Sequence, residues 1–335
     1  AISTAERRKL AIFPTVSADN LLSGKFTTDF ESYATDQFPL RDTFRTLKAF
    51  SVFYLFGEKD NNDIYIVDGY ASKLDYPMQM DSLENAAEHF NFVYNTYLSD
   101  TDCRVYFSVI PDKNHFMAAQ NGYPGYDYTD LVSSITSQLP QMQYIEISDL
   151  LSLDDYYRTD THWRQEKIID VAKYIASQMG VTLSADYAVM KLEKPFYGVY
   201  YGQASLPMAP DTLYYLQNDL LQHCTVYDYE TSQNGGIYDM NLAQGNDPYE
   251  LFLSGSKSLL IIENPNAESD RELIVFRDSF GSSLTPLLVE GYRRVTVVDI
   301  RYLSSHMLGK LIDFNGQDVL FLYSTLVLNN SITLK

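Results

Sequence analysis

An α/β fold around a mainly parallel sheet follows from three features of this 335-residue sequence. Leu273-Ile-Val-Phe276, Val295-Thr-Val-Val298 and Val319-Leu-Phe-Leu-Tyr323 are short apolar runs, the pattern of strands covered on both faces. Segments of helical length separate them, from about Gly281 to Glu290 and from Tyr302 to Asp313, and such units pair their strands in parallel through right-handed crossovers. Upstream, Arg104-Val-Tyr-Phe-Ser-Val-Ile110 is a further run of the same kind.

In chain order, Phe26, Phe30, Tyr33 and Phe38 predict a short helix packed on the main body, with Asp29 and Glu31 toward water. Leu40 to Phe56 predicts a helix with Phe44, Leu47, Phe50, Phe53 and Tyr54 on its apolar face, broken from Gly57 to Asn62. Asp63-Ile-Tyr-Ile-Val67 runs into Asp68-Gly69, a hairpin signal. A second helix is expected from Ser82 to Leu98, and the strand ending at Ile110 leads into Pro111-Asp-Lys-Asn-His115. Polar residues just past a parallel strand stand where open α/β sheets bind ligands. Lys113 is therefore a candidate for holding a carboxylate or an oxyanion, while His115, with no acid at fixed spacing, reads as a loop histidine. Tyr128 to Leu139 is expected as a helix and Tyr144 to Ser148 as a strand. The clearest helix is Arg164 to Met179, with Ile168, Ala172, Ile175, Ala176 and Met179 in one stripe and Gly180 as its stop.

Residues 181–262 change character. Phe196 to Tyr201, Asp211 to Leu216 and Thr225 to Tyr229 read as short aromatic strands, with turns at Gly202, Asn234-Gly235-Gly236 and Gly245 to Pro248. The expected organisation is residues 1–180 as the first part of the α/β domain with an N-terminal extension, 181–262 as an antiparallel β-rich insertion flanking the cleft, and 263–335 as the rest of the domain.

With 45% hydrophobic residues, the chain can bury one large core or two modest ones. A net charge of −19 opposes nucleic acid and anionic membrane surfaces as partners. No run reaches the roughly 18 apolar residues of a membrane span, and Ala1 to Arg8 lacks the apolar core of a signal peptide, so the chain reads as soluble. Cys103 and Cys224 permit one disulfide and are equally consistent with two free thiols. The 28 tyrosines suit a half-buried β surface, or a sugar-facing one on which rings stack. There is no internal repeat, zinc-spaced Cys/His set, phosphate loop or Gly-x-Gly-x-x-Gly. Asp160, His162 and His115 lack a third ligand at fixed spacing, so neither metal nor cofactor is expected.

The chemistry centres on Glu272-Leu-Ile-Val-Phe-Arg-Asp-Ser-Phe-Gly281, a buried strand that turns sharply into a helix. A serine in such a turn sits at a strand's C-terminal edge beside a helix N-terminus, whose free N–H groups favour an oxyanion. Ser279 is thus placed as a nucleophile would be. A nucleophilic serine needs a base, and the base a third group to orient it. Arg158-Thr-Asp-Thr-His-Trp163 supplies His162 and, two residues earlier, Asp160; Trp163 is the only tryptophan. Asp278 could turn inward as an acid partner, but its simpler role is to cap the helix that follows. Asp299, Arg301, Tyr323 and Ser324 fall at the same edge as Ser279.

Thr159-Asp-Thr-His-Trp163 followed by Phe276-Arg-Asp-Ser-Phe-Gly281 resembles the bacterial DHHW family and the alginate O-acetyltransferase-like proteins. Glu6 to Pro14, Asp36 to Asp42, Ile110 to Lys113 and Val298 to Arg301 extend the resemblance over most of the chain. Position 161 is threonine where the name-giving motif has a second histidine. The resemblance implies a three-layer α/β/α SGNH-hydrolase-like domain, with Ser279 as nucleophile, His162 as base and Asp160 as its orienting acid. It also implies an acyl-ester enzyme, an O-acetyltransferase or O-acetylesterase, with a polysaccharide and an acetyl donor as partners. Lys113, Arg277, Gly281, Arg301 and Tyr323 are the candidates for substrate or oxyanion binding. The implied location is extracytoplasmic, secreted or at a bacterial cell surface. An export signal or anchor, with any membrane association it brings, would lie outside this sequence. The competing reading is a non-catalytic extracellular glycan-binding or assembly protein that keeps the fold.

Overall fold

The structure, a computed structural model, describes residues 2–3, 6, 8–56 and 58–335; Gly57, where the break after the first long helix was expected to begin, lies outside that set. The chain divides into two compact units, one made of Ala1–Lys73, Arg158–Thr161 and Tyr197–Asp211, the other of Leu74–Tyr157, His162–Phe196 and Thr212–Lys335.

The larger unit is mixed α/β and carries an eight-stranded sheet. In chain order its strands are β1 (Arg104–Ile110), β2 (Gln143–Tyr144), β3 (Thr225–Asp228), β4 (Gln233–Gly235), β5 (Leu259–Glu263), β6 (Glu272–Arg277), β7 (Arg294–Val298) and β8 (Asp318–Ser324). Their order in space is β4-β3-β5-β7-β6-β8-β1-β2. Strands β7, β6, β8, β1 and β2 run parallel to one another, while β5, β3 and β4 add on antiparallel beyond β7. Register places Phe276 between Val298 and Phe321.

Because successive side chains of a strand point to opposite faces, the unbroken apolar runs feed two cores. Leu273, Val275, Leu320 and Leu322 enter one; Ile274, Phe276, Phe321 and Tyr323 enter the other. Helices α1 (Met80–Val93) and α2 (Tyr128–Thr136) cover the second face through Leu83, Phe90, Leu131 and Ile135. Helices α3 (Ile169–Gln178) and α4 (Gly281–Leu288) cover the first through Val171, Ile175, Leu284 and Leu287. Each such side chain contributes about 1.5–3 kcal/mol relative to exposure. The helix at α3 is shorter than its stripe suggested. A 3₁₀ turn at Gln165–Lys167 precedes it, and Gly180, two residues past its last residue Gln178, has a φ of 72° that suits a glycine stop.

Several elements differ from expectation for local reasons. The segment from Phe196 to Tyr201 is not a strand; Val199–Ala204 is helical, and the N–H groups of Tyr200 and Tyr201 donate to the Thr159 carbonyl at 3.0 and 3.2 Å. Of the strand expected from Tyr144 to Ser148 only Tyr144 is regular, in the short strand Gln143–Tyr144, although Ile145 N–H still donates to Phe107 O before a 3₁₀ turn at Ser148–Leu150. The helix expected from Tyr302 to Asp313 is reduced to a 3₁₀ stretch, Ser305–Lys310, whose first N–H is taken by the Lys335 carbonyl. Within 181–262, Ala188–Lys191 pairs with Tyr214–Gln217 in a two-stranded sheet, whereas β3 and β4 continue the large sheet. Cys103 and Cys224 are free thiols.

The smaller unit holds helices Ala18–Leu22, Lys25–Asp36 and Arg41–Phe50, the last running on as a π turn over Ser51–Leu55. Its hairpin, Ile64–Val67 with Tyr70–Lys73, turns through Asp68 and Gly69 at φ 49° and 80°, the left-handed pair that two-residue hairpins need. Ile64, Ala71, Tyr200 and Ala204 form its small core.

A Cβ on Gly281 would lie 2.6 Å from Arg277 Cβ, a clash that neither the strand end nor the first turn of α4 can relieve by a rotamer change. Gly281→Ala is expected to lower stability by about 1–3 kcal/mol despite alanine's better helix propensity, read as a lower urea midpoint at unchanged slope.

Candidate active site

Strand β6 ends at Arg277, and after three intervening residues α4 begins at Gly281. The turn between them is held by the Asp278 carboxylate, which is fully buried. Its Oδ1 accepts the Phe280 N–H at 3.0 Å; its Oδ2 accepts the Ser324 N–H at 2.7 Å and the Ser324 hydroxyl at 2.6 Å. Asp278 therefore binds the turn, as a capping residue would, and also ties it to the end of β8. Gly281 N–H donates to the Asp278 carbonyl at 3.1 Å. The Ser279 N–H has no partner among the described residues, and the Ser279 side chain is half-buried at the rim.

His162 reaches this turn from the segment just before α3, with Nε2 2.8 Å from Ser279 Oγ. An Nε2 that accepts the serine proton requires the tautomer with hydrogen on Nδ1. The residues after it grip α4: Trp163 Nε1 donates to Phe280 O at 3.1 Å and to Ser283 Oγ at 3.0 Å, and Gln165 Nε2 donates to Ser283 O at 2.9 Å. Gln165 Oε1 accepts Leu216 N–H at 2.7 Å, so its amide is used at both ends.

Asp160 belongs to the smaller unit and is buried there. Its Oδ2 accepts Val199 N–H at 2.8 Å. Thr159 Oγ1 accepts Gly198 N–H at 2.9 Å and donates to Asp211 at 2.6 Å. Gly198 is forced by this approach, since a Cβ there would stand 2.3 Å from Asp160 Cβ.

The other sequence candidates are held as follows. Lys113 opens a short helix, Lys113–Met117, and its buried ammonium donates to Tyr157 O at 2.8 Å. Arg277 is wholly buried, 3.4 Å from Asp299, and burial pulls its pKa below the usual guanidinium value against the pull of that carboxylate. Arg301 grips the same Asp299 with two hydrogen bonds, at 2.9 and 2.6 Å. Tyr323 is fully buried, its hydroxyl has no partner among the described residues, and burial pushes its pKa well up. The structure thus brings His162 to Ser279, and gathers Arg277 and Arg301 around Asp299.

Tyr249 escaped the sequence reading. Its ring lies on the His162 imidazole, centroids 3.9 Å apart and planes within 7°. Asp247-Pro248 is a helix-start signal, an N-cap acceptor followed by proline, and it does open the 3₁₀ turn Pro248–Leu251. No pattern in the chain could have told what the tyrosine meets. Asp112, past the end of β1, was likewise passed over. It is buried beside Thr325, its Oδ2 lacks a partner among the described residues, and burial, reinforced by Asp75, pushes its carboxyl up to about 7.

Residues 149–298 match the family described as DHHW protein, and over that segment, which contains both His162 and Ser279, the chain is related to the DHHW proteins. In three dimensions it is similar to a DHHW family protein from Eubacterium siraeum DSM 15702, with 21% identity, 80% of this chain and 93% of that one covered, and a TM-score of 0.61. It is also similar to Bacillus cereus PatB1, with 19% identity, 79% and 96% covered and a TM-score of 0.62. A second PatB1 structure, with a sulfonyl adduct, gives 17% identity, 79% and 97% covered and a TM-score of 0.61. These likenesses establish the fold. No curated protein matches the chain.

A carboxyl raised on folding from about 3.9 to about 7 keeps its proton in the folded chain across that window and loses it in the unfolded one. Its contribution therefore falls as pH rises through the window. Replacing it by Asp112→Asn removes this dependence. Urea unfolding at about pH 4 and about pH 8 should show the variant gaining on the wild type at the higher pH.

Proposed function

We propose that the chain is a serine-dependent acyl-ester enzyme on an SGNH-hydrolase-like three-layer domain, an O-acetyltransferase or O-acetylesterase acting on a cell-surface or secreted polysaccharide. The observation that carries this reading is the 2.8 Å contact between His162 Nε2 and Ser279 Oγ at the C-terminal end of a parallel strand. The acetyl class and the glycan come from the sequence resemblance. Among the described residues no helix is long and apolar enough to cross a membrane, which is compatible with action outside the cytoplasm.

In this mechanism Ser279 Oγ attacks the acetyl carbonyl while its proton passes to His162 Nε2. The carbonyl becomes an oxyanion, for which the unused Ser279 N–H is the proposed donor. Collapse expels the donor's alkoxide, which takes the proton from His162, and leaves acetyl-Ser279. A sugar hydroxyl or water, deprotonated by the same imidazole, then attacks the acetyl-serine, and the proton returns to Ser279 as it departs. Asp160, two residues before the base in the chain, is proposed to orient the imidazole. The segment 181–262, lying between His162 and Ser279 in sequence, is proposed to set acceptor choice.

PatB1 has been solved with a sulfonyl adduct, and a sulfonyl fluoride is the matching probe here. It should label Ser279, detected by peptide mass spectrometry, and the protein should cleave a chromogenic acetyl ester. Ser279→Ala and His162→Ala should each lower ester cleavage by about 10³-fold or more. A wild-type protein that neither takes the label at Ser279 nor cleaves the ester would overturn the assignment.

A further inference from the structure

Resting on the reading of His162 as the base, we propose that Tyr249 is a positioning residue that fixes the plane of the His162 imidazole against Ser279. A hydrogen bond from the Ser279 hydroxyl to Nε2 restrains one direction of the ring, while the terminal torsion of histidine is intrinsically broad. Tyr249 restrains the plane of the ring directly by lying flat on it at 3.9 Å. On the imidazole's surroundings Phe280 adds a tilted contact at 4.9 Å, so the ring is confined by two aromatic neighbours.

Tyr249 is itself fixed at both ends. Its backbone N–H donates to Asp247 Oδ1 at 3.1 Å, Pro248 sets the turn, and its ring packs on Phe252 at 5.0 Å within a small core that includes Phe196, Leu213 and Leu251. Its hydroxyl lies 2.9 Å from Ser283 Oγ. Ser283 Oγ also receives the Trp163 N–H at 3.0 Å and lies 3.3 Å from Phe280 O. A hydroxyl has one proton and two lone pairs; with its proton on Phe280 O, Ser283 accepts from Trp163 and from Tyr249. Ser283 stands one helical turn beyond Ser279. The tyrosine therefore bridges the base, by its face, to the nucleophile's helix, by its hydroxyl. When the serine proton moves to Nε2, the positive charge forms against an aromatic face, which favours it. This restraint comes from residues 181–262 and not from either segment that carries the reacting groups.

The test compares Tyr249→Leu, which keeps bulk but removes ring and hydroxyl, with Tyr249→Phe, which keeps the ring. Tyr249→Leu should lower kcat for the chromogenic acetyl ester by about tenfold or more with KM nearly unchanged, and slow sulfonyl labelling of Ser279 in step. Tyr249→Phe should lose only about threefold, the scale of one hydrogen bond. A crystal structure of Tyr249→Leu should show the His162 ring turned out of reach of Ser279 Oγ. Wild-type kcat in Tyr249→Leu, or equal losses in Tyr249→Leu and Tyr249→Phe, overturns the proposal. Should Tyr249→Leu not fold, Tyr249→Phe decides, a loss in kcat at constant KM supporting the anchor and full wild-type kcat refuting it. If the wild type proves inert to both reagents, the enzymatic reading falls, and the crystal structure of Tyr249→Leu judges this one alone. A ring that stays on Ser279 rejects it, and a displaced ring supports it.

Discussion

A carboxylate cut off from water decides where Ser279 stands. Asp278 is fully buried at the end of β6 and has to meet its hydrogen-bonding needs from protein donors, since an unpaired buried charge would cost several kcal/mol. Those donors come from the turn itself, through Phe280, and from the end of β8, through Ser324. One side chain thus fixes the shape of the strand-to-helix turn and its height relative to the next strand. Beside it, Arg277 and Arg301 close on Asp299, so the ends of β6 and β7 are joined by buried charge as well. Buried ion pairs of this kind add little net stability, because desolvation offsets their attraction. Their effect at this edge is geometric.

Such an edge follows from burying a parallel sheet on both faces. Helices must then cover both sides, and each one that follows a strand starts at the strand's C-terminal end. Helices α3 and α4 share one face and its core, and the residues just before each, His162 and Ser279, meet within hydrogen-bond distance. The meeting is reinforced locally by Trp163 and Gln165, which bond to the first turn of α4.

Much of this was legible in the chain because it rests on local pattern. The strands at 273–276, 295–298 and 319–323 declare themselves through unbroken apolar runs, and Gly281 marks the tight passage into α4. What was hidden depends on partners distant in sequence. Phe196 to Tyr201 has the aromatic content of a strand, yet the Thr159 carbonyl takes its N–H groups and winds it into a helix. Arg277 is among the candidates for substrate or oxyanion binding, and no sequence signal announces that it is buried 3.4 Å from Asp299. The antiparallel character of the β-rich segment is legible in its short strands, but nothing in them says whether β3 would find β5. Tyr249 was one of 28 tyrosines, and its place on an imidazole is a tertiary fact.

The rigidity of the pair follows from where its supports end. An imidazole held only by its own backbone would let the contact with Ser279 fluctuate by the tenths of an ångström that separate a good hydrogen bond from a poor one. Here His162 is flanked by Trp163, whose indole N–H is bonded to Phe280 and Ser283, while its ring is fully buried in the core shared by α3 and α4. A shift of α4 that carried Ser279 away from the imidazole would at once strip Trp163 of both acceptors and open space beside Leu284 and Ile175, each step costing on the order of 1–3 kcal/mol. The distance between His162 Nε2 and Ser279 Oγ is thereby set by the packing of the core, and the polar pair inherits its geometry from apolar contacts beneath it.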